Sequence, residues 1–364
     1  MSLRSRVAVC AVLASASMLA IVGTWWRQQP TGPGAGDHPL PTDLVATFSI
    51  VGFDPETGDL GVAVQSKFFG VGVVVPFAEA GVGAVATQSY ANTTYGPRGL
   101  ELLRTGMAPD DVVAALLADD PEAGLRQLGV IDAAGNAATH TGAANLTWAG
   151  GRTGDRYAAQ GNILTGPEVV EAMARTFERT AGDLASRLVA ALAAGQEAGG
   201  DARGRQSAAL LVVREGGGYG GFNDRFIDLR VDDHATPIAE LQRLLDIRIA
   251  QVRGGQASET LQRVPRTAGA ARDALLQDAI AALEAATRLD PGNGWHWMSL
   301  AAARLLAGDT DAAAQAGVRA LEADPWVKTG ILRGFGSMEV AEKLLEDDRF
   351  RQAWEQIQVR YRAP

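Results

Sequence analysis

The chain has 364 residues, 47% of them hydrophobic, and a formal net charge of −9 at neutral pH. That length accommodates two domains with sizeable cores, and the acidic balance excludes a nucleic-acid binder, which neutralises phosphates with clustered Lys and Arg. A single cysteine, Cys10, excludes disulfides, cysteine-bound zinc and a cysteine nucleophile from everything beyond it.

Residues 1–27 read as a targeting segment. Arg4 and Arg6 precede an apolar run from Val7 to Trp26, closed by Arg27. Such a run just suffices to span a bilayer as a helix, with Trp25 and Trp26 suited to the interface. It also fits a cleaved signal, although no clean small-x-small site follows at the right distance. Both readings export the body of the protein, and the uncleaved anchor is preferred. Residues 28–45, rich in Pro and Gly, read as a flexible linker.

At Thr47 the pattern changes. Thr47 to Phe53 and Leu60 to Lys67 are rich in apolar and β-branched residues and flank the turn Asp54-Pro55-Glu56-Thr57-Gly58-Asp59, which predicts a hairpin. A hydroxyl residue opens the first strand, where N-terminal-nucleophile enzymes place Thr, Ser or Cys. Helices are predicted over 96–105 and 109–118, the second opened by a proline. A second hairpin is predicted over 127–140, a strand over 155–160, and helices over 168–179 and 183–196. Strands over 208–214 and 225–231 are joined by a glycine-rich loop, and Thr236-Pro237 starts a helix to about Val252.

After a loop-like stretch at 253–267, residues 268–364 are helical and rich in Ala and Leu. Leu289-Asp290-Pro291 is echoed by Ala323-Asp324-Pro325 at the 34-residue period of a tetratricopeptide repeat. Trp297, Leu300, Gly308, Ala313, Ala320 and Pro325 suit such a repeat. Arg304 and Gly317 stand where aromatics are usual. A generic pair of helical hairpins is the plainer reading, and a protein partner is the expectation attached to the repeat.

Several motifs occur together in one order: the Thr47 hairpin, Phe68-Phe69-Gly70-Val71-Gly72, Ala80-Gly81-Val82-Gly83, Asn92-Thr93-Thr94-Tyr95-Gly96-Pro97-Arg98-Gly99, Gln160-Gly161-Asn162 and Arg203-Gly204-Arg205-Gln206-Ser207. As a set, over roughly residues 46–248 of a domain read as 46–252, they resemble a bacterial and archaeal family known as domain of unknown function 1028. That family is grouped with the Ntn hydrolases, the superfamily of the proteasome β-subunit and the penicillin acylases. The resemblance implies an α+β fold, a four-layer αββα sandwich, and Thr47 as N-terminal nucleophile, without naming a substrate.

On that reading the Thr47 hydroxyl attacks an amide carbonyl, its freed α-amine takes the proton, and nearby donors hold the oxyanion. Ser66 and Lys67, at the end of the returning strand, come back beside Thr47. Asn162 is the oxyanion candidate. Gln88, Asn92, Tyr95 and Gln160 are the candidate substrate contacts. Gln65 stands where the proteasome-like pattern has an acid. The free amine requires cleavage between Ala46 and Thr47, because Thr47 is internal here, whereas family members commonly begin Met-Thr-Phe-Ser.

No cofactor or metal is expected. Gly216, Gly218 and Gly221 have a dinucleotide-like spacing but join two strands, and the four histidines are scattered. The expectation is an exported hydrolase of an amide bond in a small molecule or peptide, tethered to a membrane and able to form homo-oligomers. The alternative is a non-catalytic envelope scaffold using an inactive hydrolase pocket and the helical repeats.

Overall fold

The computed structural model describes residues 47–334 and 336–357. The apolar run at 7–26 and its linker lie outside the described residues. Among the described residues, no helix is long and apolar enough to cross a membrane.

The predicted hairpin is present as β1 (Thr47–Asp54) and β2 (Asp59–Ser66), with Thr47 opposite Ser66. Asp54 closes the turn, its carboxylate accepting from the Glu56 N–H at 3.0 Å. Then follow β3 (Pro76–Glu79) and β4 (Gly83–Ser89), helices α1 (Tyr95–Arg104) and α2 (Pro109–Leu117), and β5 (Arg126–Asp132) and β6 (Ala137–Thr141). Next come β7 (Trp148–Gly154) and β8 (Tyr157–Leu164), then α3 (Glu168–Arg179) and α4 (Leu184–Glu197). Strands β9 (Ser207–Val213) and β10 (Arg225–Val231) complete the sheets.

Two antiparallel sheets result. One has the order β10-β9-β2-β1-β8-β7, so β1 and β2 are its central strands; the other is β3-β4-β5-β6. They pack face to face through β1, β2 and β8 on one side and β4, β5 and β6 on the other. Strand alternation sorts the side chains. Phe48 and Ile50 of β1 face a helix layer of α3 and α4, in one core with Val169, Phe177, Leu184 and Leu188. Val51 and Phe53 point the opposite way, into the inter-sheet core with Leu60, Val62, Ala84 and Ile131. Outside the smaller sheet, Val85, Leu128 and Val130 pack under Leu100, Val112 and Leu116 of α1 and α2.

The helical region differs from the expectation at its entry. Helix α5 (Pro237–Arg263) runs 27 residues, straight through most of the stretch read as a linker, and the chain turns only at Val264–Arg266. Gly254 and Gly255 lowered the local helix signal, but the buried Ala257 holds this part of α5 in the helical core with Ala279, Leu283 and Met298. Beyond it lie α6 (Gly269–Leu289), α7 (Gly294–Leu306), α8 (Thr310–Ala323), α9 (Trp326–Leu332), α10 (Met338–Leu344) and α11 (Asp348–Gln356). Both Asp-Pro pairs of the sequence echo stand at helix ends, after α6 and after α8.

Candidate functional site

On the inter-sheet face, β1 is apolar at its far end and polar at its start, where Thr47 and Ser49 replace Val51 and Phe53. The strands opposite and beside it are polar at the same level. Ser66 comes from β2, Gln160 and Asn162 from β8, Gln88 from β4 and Gln127 from β5. All seven of these side chains are fully buried. Thr139 and Thr141 of β6 join them, paired in register with Gly129 and Gln127. The β1–β8 register, which sets Phe48 opposite Gly161, places Asn162 level with Thr47 when continued by one residue. Thr47 is thus flanked on its own sheet by Ser66 and Asn162.

These groups form one hydrogen-bonded network. The Thr47 hydroxyl donates to Ser66 Oγ at 3.1 Å. Ser49 donates to Gln88 Oε1 and accepts from Gln160 Nε2, both at 2.6 Å. Gln88 Nε2 donates to the Thr47 carbonyl at 3.3 Å and to Gln127 Oε1 at 2.8 Å. Gln127 bridges the sheets: its Nε2 donates to the Gly161 carbonyl at 2.7 Å and to Thr141 Oγ1 at 2.9 Å. Asn162 Nδ2 completes the set by donating to Gln127 Oε1 at 2.9 Å. Gly129 makes room for this, since a Cβ there would stand 2.4 Å from Gln160 Oε1.

The backbone is strained where the network is anchored. Ser89 and Ile163 have φ of 68° and 51°, and they directly follow Gln88 and Asn162. Left-handed φ is unfavourable for a non-glycine residue and most of all for a β-branched one. Such strain persists only where the surroundings over-determine it, and here a buried amide precedes each strained residue.

Every group in the network is neutral, an amide or a hydroxyl. Lys67 follows Ser66 but is exposed, and its backbone N–H is held by the Asp201 carboxylate at 3.0 Å. The chain has two further lysines, Lys328 and Lys343, both in the helical region. Gln65 lies opposite Phe48, so its side chain enters the helix layer and not the Thr47 face. Among the described residues there is no group of three or more His, Cys, Asp or Glu side chains placed to hold a metal ion.

The structure brings together Thr47, Ser66, Asn162, Gln88 and Gln160 and keeps three predicted residues apart. Lys67 turns to solvent. Asn92 makes a local turn, its Oδ1 accepting from the Thr94 N–H at 3.1 Å and the Thr94 hydroxyl at 2.7 Å. Tyr95 lies on the opposite face of the smaller sheet, where its hydroxyl donates to Asp120. Asp120 also takes Arg126 Nε at 2.8 Å. Burial acts to raise the Asp120 carboxyl, but hydrogen bonds from Arg126, Tyr95 and the Glu122 N–H outweigh it and hold it at about 2. Burial and Asp120 together push the Tyr95 phenol well above its ordinary value.

Sequence reasoning missed Ser49, Gln127, Thr139 and Thr141. The signal for Ser49 was simple alternation from Thr47; Gln127 could be placed only by the register between strands. Asp201 was missed too. Its buried carboxylate and Ser207, which donates to the Phe68 carbonyl at 2.5 Å and accepts from Val71 at 3.2 Å, hold the loop that follows Ser66.

Residues 47–241 match a family described as of unknown function, DUF1028, so the match opens on Thr47 itself and takes in the whole network. The chain belongs to the DUF1028 family. A similar solved structure is the crystal structure of protein SPO2555 from Silicibacter pomeroyi, also assigned to DUF1028. It is 35% identical with a TM-score of 0.51, over 55% of this chain and 84% of that one. No curated protein matches the chain. The DUF1028 region thus contains both sheets, the helix layers α1–α4 and the start of α5.

Proposed function

We propose that this chain is an exported Ntn-type hydrolase that cleaves an amide bond with Thr47 after the Ala46–Thr47 bond is cut. The carrying observation is the Thr47 hydroxyl at the head of a central strand, 3.1 Å from the Ser66 hydroxyl, within a preformed polar network. The order of layers, helices over one sheet, a second sheet and then helices again, supports an αββα Ntn-type sandwich.

In this reading the Thr47 hydroxyl attacks the substrate carbonyl while the freed α-amine accepts its proton. The C–N bond breaks, the amine leaves with that proton, and water then hydrolyses the Thr47 ester. Ser66 orients the hydroxyl. The apolar run at 7–26 anchors the uncut chain with its N-terminus in the cytoplasm and its body exported, and the cut before Thr47 releases that body from the anchor. The tetratricopeptide-like helices bind a protein partner.

A second reading, a non-catalytic envelope scaffold, is favoured by one observation: Lys67, the single lysine of the sheet region, is exposed rather than turned to Thr47. Acylation by a neutral activated ester, read by intact mass, separates the two. A mass increase mapped to Thr47, retained in part by Thr47→Ser and absent in Thr47→Ala, supports the enzyme. Equal labelling of the Thr47→Ala protein rejects it.

A further inference from the structure

The orientation of Asn162 is set by its neighbours. Gln127 faces the Gly161 carbonyl at 2.7 Å and the Gly150 carbonyl at 3.3 Å. A carbonyl only accepts, so the Gln127 nitrogen must stand at that end and its oxygen at the other. That oxygen faces Asn162, which must therefore present Nδ2 to it. The consequence falls on Asn162 Oδ1, which is fully buried and has no hydrogen-bond partner among the described residues. A buried carbonyl oxygen without a donor costs about 1–3 kcal/mol. Here that cost is kept on a strand position level with Thr47 and followed by the strained Ile163.

We propose that Asn162 Oδ1 is the acceptor for the N–H of the scissile amide, so that the substrates are uncharged primary or secondary amides and tertiary amides are rejected. The inference rests on Thr47 being the nucleophile. A carbonyl attacked by Thr47 Oγ1 has its amide nitrogen one bond away, within reach of a side chain flanking Thr47. A substrate N–H satisfies the orphaned oxygen; an N-methyl group leaves it buried and unpaired. The neutrality of the network's side chains selects against charge in the same place, because none of these amides and hydroxyls is a counter-ion for a carboxylate or an ammonium. Asn162 in this role is a specificity residue, with one N–H of its amide spent on Gln127.

The covalent step balances within the site. The bond from Thr47 Oγ1 to the carbonyl carbon forms, the C–N bond breaks, and the amine departs carrying the hydroxyl proton.

The test uses the full chain as isolated and three acetyl donors: 4-nitrophenyl acetate, 4-nitroacetanilide and its N-methyl analogue. Acetylation of Thr47 is followed by mass and nitroaniline release by absorbance. The secondary anilide is expected to react at least about 100-fold faster than the N-methyl compound, as sites built to bond a donor reject analogues lacking it. In Asn162→Leu that ratio should fall to within about threefold of unity, whereas a purely steric penalty for the methyl group would persist. Should that variant misfold, competition in the unaltered protein decides: acetamide slows acetylation by the ester and N,N-dimethylacetamide does not. Ester acetylation with equal anilide rates, or with equal protection by the two acetamides, overturns this inference alone. No acetylation of Thr47 by the ester overturns the hydrolase reading, and this inference with it.

Discussion

Asn162 and Gln127 sit on different sheets and meet amide to amide, Nδ2 to Oε1 at 2.9 Å. That contact joins the two halves of the sandwich at the level of Thr47. It also determines which end of Asn162 is left over. Gln127 is therefore the keystone: it accepts from Gln88 and Asn162 and donates to Thr141 and two backbone carbonyls.

Removing that keystone should be costly. Gln127→Leu strands several buried donors and acceptors at once, and we expect a loss of about 3 kcal/mol. Urea unfolding of the variant measures it. A loss below about 0.5 kcal/mol, typical of an isolated surface change, would show that the network does not hold the sheets.

Gly129→Ala probes the same layer from the opposite strand. Its new Cβ would stand 2.4 Å from Gln160 Oε1 and 2.6 Å from Gln160 Nε2, so Gln160 must move and release Ser49. The expected cost is about 1–3 kcal/mol of overpacking. A crystal structure of the variant should show the 2.6 Å Gln160–Ser49 bond broken; an intact bond contradicts the packing described.

The hairpin opened by Thr47 and most helices were legible because alternation and helical periodicity reported burial directly. Strand β7 was not, since Trp148-Ala149-Gly150-Gly151-Arg152 carries little apolar alternation and sits at the sheet edge. Within the site, Thr47, Ser66, Gln88, Gln160 and Asn162 could be named. The bond pattern could not, because it depends on the register between two sheets. Asn92 and Tyr95 looked like ligand contacts because polar loop residues do. The structure spends them on a turn and on the Asp120–Arg126 cluster.

The two residues that depart from the repeat pattern, Arg304 and Gly317, also have physical reasons in the helical region. Arg304 donates to Glu284 Oε1 at 2.9 Å and to the Ala312 carbonyl at 3.2 Å, tying α7 to α6 and α8. Gly317 makes room for Phe350 of α11, whose ring would lie 2.8 Å from a Cβ there. Gly317→Ala should therefore destabilise the helical region by about 1–3 kcal/mol despite the better helix propensity of alanine. Thermal melting checks the sign, and a raised midpoint would refute this packing.

The Asp120 cluster predicts an acid-labile element. Its folded value of about 2 lies below the ordinary 3.8, so its contribution is complete above about pH 4 and is lost as the pH falls toward 2. Asp120→Asn should flatten stability over that window and leave the slope at higher pH unchanged. An unaltered slope between pH 4 and 2 would show that Asp120 does not contribute to the acid lability.

Thr47 can act as proposed only with a free α-amine, which only a cut chain possesses. N-terminal sequencing with intact mass of the mature, natively exported protein tests it most directly. Chains beginning Thr47-Phe48-Ser49 are expected, and they should be absent from Thr47→Ala if the cut is self-made. Finding only chains in which Val45-Ala46 still precede Thr47 would contradict it, since an amide nitrogen cannot take the hydroxyl proton.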